Sequence, residues 1–314
     1  MTDMWQCSDL IQRSLKLGTG DFFESTRTKL IRIRAVTVQR CYEAQSRSRR
    51  CLIFGLETAL KLMCVEVPSE IDYDGLTAVA PDCPNRPQLH GVRSIVWPHE
   101  LPTVTINDIT CVTPAMTWIM YARKTGLQEM ILLGDALTRR DIEQKWYSKA
   151  QLESCVADFI QTNGYNGRNR FQVCSRALSL MRENTDSFPE TLLRLTLMQH
   201  GLPCPEVNYQ LTPPNCDERL FLDLAFPHAR VAVEYDGRQH ARQWDRDQRR
   251  LKAIGDARWS HVAVTGADLR SAESRVALAA SVADRLERQL GRRVQISKPL
   301  TLRQLSDPRR VRAR

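Results

Sequence analysis

Five residues in the last third of the chain have types and spacing that could do chemistry: Glu190, Asp223, Glu234, Asp236 and His240. In Val231-Ala232-Val233-Glu234-Tyr235-Asp236 the two-residue period of a strand puts the valines and Tyr235 on one face, so Glu234 and Asp236 share the other. A tight turn centred between His228 and Ala229 would then set Asp223 directly opposite Glu234. Opposed Cβ atoms in a hairpin stand ~5 Å apart, so the two carboxylates repel. Either one stays protonated or a cation lies between them. An oxygen-preferring divalent ion, Mg²⁺ or Mn²⁺, held by Asp223, Glu234 and Asp236, resolves the conflict. The structural alternative is a solvated acidic hairpin whose carboxylates pair with nearby arginines. It leaves Asp236-Gly237, His240 and the placement of Glu190 unexplained.

The elements that must position these residues follow from capping and periodicity. Asp186 or Ser187 caps a helix with Pro189 and Glu190 in its first turn, Leu192, Leu193, Leu195 and Met198 along it, and Gly201 at its end. Strands are expected at 207–211, 220–226 and 230–235, a helix from about 245 to 254, a strand at 261–265 and a last helix from about 267 to 290. Arg249, Arg250 and Lys252 on the penultimate helix could meet phosphates, although a solvated helix face explains them equally economically. His228, in the turn, reads as structural.

Upstream, residues 1–45 form a poorly patterned lead-in, with Ser25-Thr26-Arg27-Thr28 as a turn and Leu30 to Val38 alternating like a strand. Leu52 to Met63 runs into a helix that Pro68 ends, and short strands such as 76–79 and 92–97 follow between Pro-rich and Asn/Asp-rich turns. Thr113-Pro114 starts another helix, Pro114 standing where its missing N–H costs nothing. Residues 146–185 read as a connector, helical over 151–161, with a break at Asn163-Gly164-Tyr165-Asn166-Gly167.

Two resemblances arise from these residues. Glu190, Asp223, the run Val233-Glu234-Tyr235-Asp236-Gly237-Arg238-Gln239-His240, then Asp247 and Arg250, resemble the very-short-patch-repair-endonuclease-like domains of the PD-(D/E)XK nucleases over about residues 186–290. That resemblance implies that Asp223 and Glu234 hold the metal and that Glu190 assists. The family's usual Lys, two residues after the Glu, is Asp236 here, which leaves His240 as the candidate for handling the attacking water. Residues 46–145 resemble AbiEi-type antitoxins of type IV toxin–antitoxin systems through Phe54-Gly55-Leu56-Glu57-Thr58-Ala59-Leu60, Cys111-Val112-Thr113-Pro114-Ala115-Met116-Thr117-Trp118 and Gly134-Asp135-Ala136-Leu137-Thr138-Arg139-Arg140.

The whole chain sets the bounds. Its 314 residues, 42% hydrophobic and 26% charged, suit a globular protein of two domains. No secretory leader or membrane span is recognisable, so the chain is expected in the cytoplasm without a membrane partner. Ten cysteines without a Cys-x-x-Cys pair argue against a zinc finger and for free thiols. The net charge of +9 favours a polyanion such as DNA, and the basic residues from Arg292 onward make a tail that reads equally as a solvated segment or as a nucleic-acid contact. The expected fold is α+β or α/β: an N-terminal α+β AbiEi-like domain, then a nuclease-like mixed sheet flanked by helices in the order αβββαβα. The expected function is a Mg²⁺-dependent endonuclease acting on DNA in repair or phage defence, with a toxin or other protein as a conceivable partner. The alternative is a non-catalytic, antitoxin-like DNA-binding regulator that uses the nuclease fold as a scaffold.

Overall fold

The computed structural model describes residues 26–163, 171–214, 219–236 and 244–311. It is a mixed α+β architecture with two mixed sheets. Helix α1 (Thr26–Ser46) occupies the stretch expected to be a turn and a strand. Its β-branched residues favour a strand locally, but Leu30, Thr37, Cys41 and Ala44 recur at helical spacing and are buried. Tertiary packing of that stripe overrides local propensity.

The first sheet runs in the order β3-β2-β1-β5-β4. Its strands are β1 (Ile53–Phe54), β2 (Leu76–Ala80), β3 (Val92–Val96), β4 (Thr103–Ile106) and β5 (Ile109–Val112). Between β1 and α2 (Leu56–Leu62) sits Gly55, where an added Cβ would overlap the Val79 side chain, so close approach explains this glycine. The β4–β5 hairpin turns on Asn107 and Asp108, both left-handed with φ 48° and 55°, the backbone that a two-residue turn of matching twist requires. Thr113 and Pro114 start α3 (Pro114–Tyr121), followed by α4 (Leu127–Leu137), α5 (Lys149–Thr162) and α6 (Gln172–Leu180). Trp118, fully buried, donates its indole N–H to the Met130 carbonyl at 2.8 Å. The segment read as a connector thus contributes Leu152, Val156, Phe159, Cys174 and Leu178 to the first apolar core.

The second sheet runs β6-β7-β8-β9. The chain order is α7 (Phe188–Gln199), β6 (Glu206–Leu211), β7 (Leu220–Phe226), a short 3-10 turn (Pro227–Ala229), β8 (Val231–Tyr235), α8 (Trp244–Asp256), β9 (Ser260–Val264) and α9 (Ala272–Leu290). β6, β7 and β8 are antiparallel neighbours, and β9 joins β8 in parallel after the α8 crossover. One face, with Val231 and Val233, is covered by Leu193 and Leu197 of α7 and by Leu278, Val282 and Leu286 of α9. The other, with Leu222 and Ala232, packs on Ile254 of α8. Each such buried side chain contributes ~1.5–3 kcal/mol, enough for the three layers to fix the strands between them.

The basic tail is docked through its backbone and apolar residues, while Arg292, Arg293, Lys298, Arg303 and Arg309 stay exposed to solvent. Val294 and Ile296 pack on the second core, while Leu302 and Leu305 of α10 (Leu302–Leu305), followed by α11 (Pro308–Val311), pack on the first. Ser297 N–H donates to His200 O at 2.7 Å and Leu300 N–H to Gln199 O at 2.8 Å, pinning the tail to the end of α7. Apolar residues spaced too widely to show a period made this docking invisible in the sequence.

Candidate active site

Ser187 caps α7, its hydroxyl accepting the Glu190 N–H. That same hydroxyl donates to Glu190 Oε1 at 2.7 Å, and the Asp186 N–H donates to Oε2 at 3.0 Å. Glu190 is buried, and burial pushes its pKa up; the bonds from Ser187 and Asp186 offset this in part. Both of its oxygens are therefore engaged in the cap.

The β7–β8 register pairs Leu224 with Val233, Ala225 with Ala232 and Phe226 with Val231, which places Asp223 one step beyond, level with Glu234. Arg230, left-handed with φ 49°, closes the turn near the expected centre. The ladder itself stops at Leu224, however. Asp223 is not the freely opposed, outward acid of the simple hairpin: its Oδ2 accepts the Tyr235 N–H at 2.9 Å, taking the place of a strand carbonyl. The cause is visible on β6. Asn208, level with Asp223, is left-handed with φ 47° and breaks the β6–β7 ladder there. On either side of this step the faces exchange: Tyr209 and Leu222 belong to one core, Val207 and Leu224 to the other.

Asp223 on β7 thus lies within electrostatic reach of two other acids, Glu190 on α7 and Glu234 on β8. Burial, then the charges of Glu190 and Glu234, push Asp223 up to about 7. Glu234 behaves differently: burial would raise it, but hydrogen bonds from His261 and Arg250 outweigh burial and hold it below the usual carboxylate range. His261 Nε2 lies 3.0 Å from Glu234 Oε2, and Arg250 forms an ion pair with the same carboxylate while donating to Phe221 O at 2.5 Å. Arg250, expected to meet phosphates, is thus committed to Glu234, because its position on α8 aims it at the sheet. Arg249 and Lys252 are exposed on the same helix. Asp236 is exposed beyond the end of β8, its N–H donating to Val264 O at 2.7 Å. His240 lies outside the described residues.

Two residues that sequence reasoning missed complete the surroundings. His261 stands in register with Ala232 on β9, so the two-residue period shared by the strands brings it to the Glu234 side of the sheet. Arg140, from the Gly134–Arg140 motif, makes bonds of 2.9 and 2.7 Å to Asp186 and lies over the Phe221 ring at 4.4 Å. No local pattern links either to the acids, since their partners are distant in the chain.

The donor chemistry at Asp223 and Glu234, all oxygen and with a carboxyl that burial and its neighbours hold partly protonated near neutral pH, fits a hard divalent cation. Mg²⁺ commonly takes only one or two carboxylates and retains waters. Among the described residues, no group of three or more His, Cys, Asp or Glu is gathered closely enough to hold a metal by protein ligands alone. The fit is therefore to the Asp223–Glu234 pair.

No protein-family model and no solved structure matches the chain. Two curated proteins of Mycobacterium tuberculosis, from strains CDC 1551 and H37Rv and both described as uncharacterized, are each 28% identical to it over 178 residues. The matched stretch covers 56% of this chain and 61% of each relative, less than two thirds of their length, so the likeness stops at a shared segment with those two proteins.

Proposed function

We propose that the second sheet carries a metal-dependent endonuclease site that hydrolyses DNA phosphodiesters. The observation that carries the reading is that the β7–β8 register sets Asp223 level with Glu234, with Asp223 raised to about 7 by burial and by the charges of Glu190 and Glu234. A fold gains nothing in stability from such crowding, whereas a cation-dependent site uses it. The element order α7-β6-β7-β8-α8-β9-α9 is the one a nuclease domain of the PD-(D/E)XK kind would need, which supports the reading at the level of fold.

In this proposal Asp223 and Glu234 hold Mg²⁺ or Mn²⁺, and Glu190 tunes Asp223 through its charge. The ion would make hydroxide available at neutral pH and offset charge on the phosphate oxygens. His261 fixes the orientation of the Glu234 carboxylate, and Arg250 balances its charge. Asp236 and His240 stay candidates for the metal shell and the attacking water. The region of the first sheet, AbiEi-like in its motifs, would select the target or a protein partner. A role in repair or phage defence belongs to the same proposal.

Plasmid nicking with and without Mg²⁺ tests the reading. Asp223→Asn and Glu234→Gln are each expected to abolish nicking while leaving the chain folded. Nicking retained in both would remove these residues from the mechanism. The second reading, a DNA-binding regulator with the fold as scaffold, is favoured by Glu234 already having both Arg250 and His261 as partners. It predicts DNA binding with no Mg²⁺-dependent cleavage by the unaltered chain.

A further inference from the structure

Residues 26–50 contain eight Lys or Arg against the single Glu43, an excess as large as that of the tail. They form α1 and the turn after it. Leu30, Thr37, Cys41 and Ala44 face the core. Spacings of three and four residues bring Lys29, Arg32, Val36, Arg40, Glu43 and Arg47 onto one outward flank, with Glu43 the single acid among four basic residues. Val36 is 54% exposed in the middle of this stripe, an apolar side chain that the fold leaves in solvent.

The helix is firmly seated. Arg34 donates to Asn107 Oδ1 at 2.6 Å and Tyr42 to Asn107 O at 2.8 Å, so the β4–β5 turn holds its inner side. Arg40 pairs with the exposed Asp74 at 3.4 Å, an ion pair that phosphate can replace at little cost. At its start, Arg27 pairs with Asp141 and Glu143, in the loop that also delivers Arg140 to Phe221 and Asp186. One loop therefore connects the basic helix to the edge of the acidic site.

We propose that the outer flank of α1, continued by Arg47, is a binding surface for double-stranded DNA. Lys29, Arg32, Arg40 and Arg47 take backbone phosphates, and Val36 with Gln39 lies toward base edges in the major groove. A groove about 12 Å wide admits a helix, and an exposed apolar side chain suits a thymine methyl. A-form RNA offers no such groove to a helix. A lipid surface would need a broad apolar face, and the apolar face of α1 is already spent on the core. The choice of DNA rests on the nuclease reading, while binding by α1 does not require cleavage.

The test uses the full chain carrying Glu234→Gln, with a fluorescein-labelled DNA duplex followed by anisotropy over roughly 50–200 mM salt. Adding Lys29→Ala, Arg32→Ala and Arg47→Ala is expected to lower affinity at least tenfold and to flatten the log–log salt slope by about 3, nearly one per lost phosphate. Unchanged circular dichroism establishes that the variant is folded. Should the triple variant not fold, Arg32→Gln alone is expected to flatten the slope by about 1. A folded variant with unaltered affinity and slope overturns the proposal, as does tighter binding of duplex RNA or acidic vesicles than of DNA. The two readings fail separately: if Asp223→Asn leaves nicking intact but the α1 variant loses binding, the site reading falls and the surface stands.

Discussion

Two carboxylates in this molecule, the fully buried Asp135 and the half-buried Asp223, are treated in opposite ways. Asp135, at the end of α4, receives Arg194 Nη2 at 2.6 Å, Thr191 Oγ1 at 2.8 Å and the Arg182 N–H at 2.9 Å. Burial raises its pKa, and every other influence on it lowers it. Asp223 has two acids for neighbours, and their charges outweigh the lowering by the Tyr235 N–H and by Arg250, so its surroundings add to the effect of burial. The first is how a fold locks α4 to α7. The second leaves an unmet demand for positive charge, as the proposed site requires. Burial alone does not separate structure from function; the sign of the neighbours does.

Breaking the first arrangement should have the largest effect. Arg194→Ala leaves Asp135 buried without its counter-ion and is expected to cost about 3–5 kcal/mol, read by denaturant unfolding. Replacing both partners, Asp135→Leu with Arg194→Met, should recover much of that loss. A single variant within about 1 kcal/mol of the unaltered chain would show that the pair does not lock the helices.

The second arrangement should respond in the opposite direction. The folded pKa of Asp223, about 7, lies above its unfolded value of 3.8, so the folded chain binds the extra proton between those values. Stability from this group is present below about pH 4 and is lost as pH rises through 7. Asp223→Asn should therefore stabilise the metal-free chain at pH 8, by roughly 1–3 kcal/mol, and flatten the stability profile between pH 4 and 7. A variant less stable than its parent at pH 8 would contradict the charge conflict.

Mg²⁺ sharpens the same contrast without any assay of activity. Millimolar Mg²⁺ at pH 8 should raise the Tm of the unaltered chain by a few degrees, about what ligand present at tens of times its Kd would give. It should leave Glu234→Gln unmoved. Equal shifts in both would place the ion elsewhere. The smallest effect is expected from Ser187→Ala, about 1 kcal/mol from the lost cap, together with a further rise of the Glu190 pKa because its hydroxyl donor is gone. Carbon-13 NMR of the labelled Glu190 carboxyl would follow it, and an unmoved titration would show that the cap does not tune the site.

Much of the site could be read from local pattern. The β7–β8 register followed from alternation and the short turn, and Glu190 from its cap, because both are nearest-neighbour signals. What escaped was set by distance or by competing preferences. His261 and Arg140 reach the acids only through sheet order and helix packing. Arg250 reads in the sequence as a phosphate contact, and its partner Glu234 is legible only once α8 is laid against the sheet. The five β-branched residues between Ile31 and Val38 pointed to a strand until the stripe Leu30, Thr37, Cys41 and Ala44 met the core. The charge of residues 26–50 is countable in the sequence, but only the helical conformation gathers it onto one flank. Asn208 gave no warning of its conformation, since asparagine is as ordinary in a loop as in a kink.

That residue has a consequence for how the protein behaves in a crowded solution. β6 is an outer strand of its sheet, and an outer strand offers unpaired N–H and C=O groups to any passing chain. The left-handed turn at Asn208 interrupts this row midway, and its side-chain amide is held by the Asn184 carbonyl. A foreign strand could therefore pair with only a few residues before its register failed. The same kink that draws Asp223 out of the ladder also guards the edge of the sheet against amyloid-like growth.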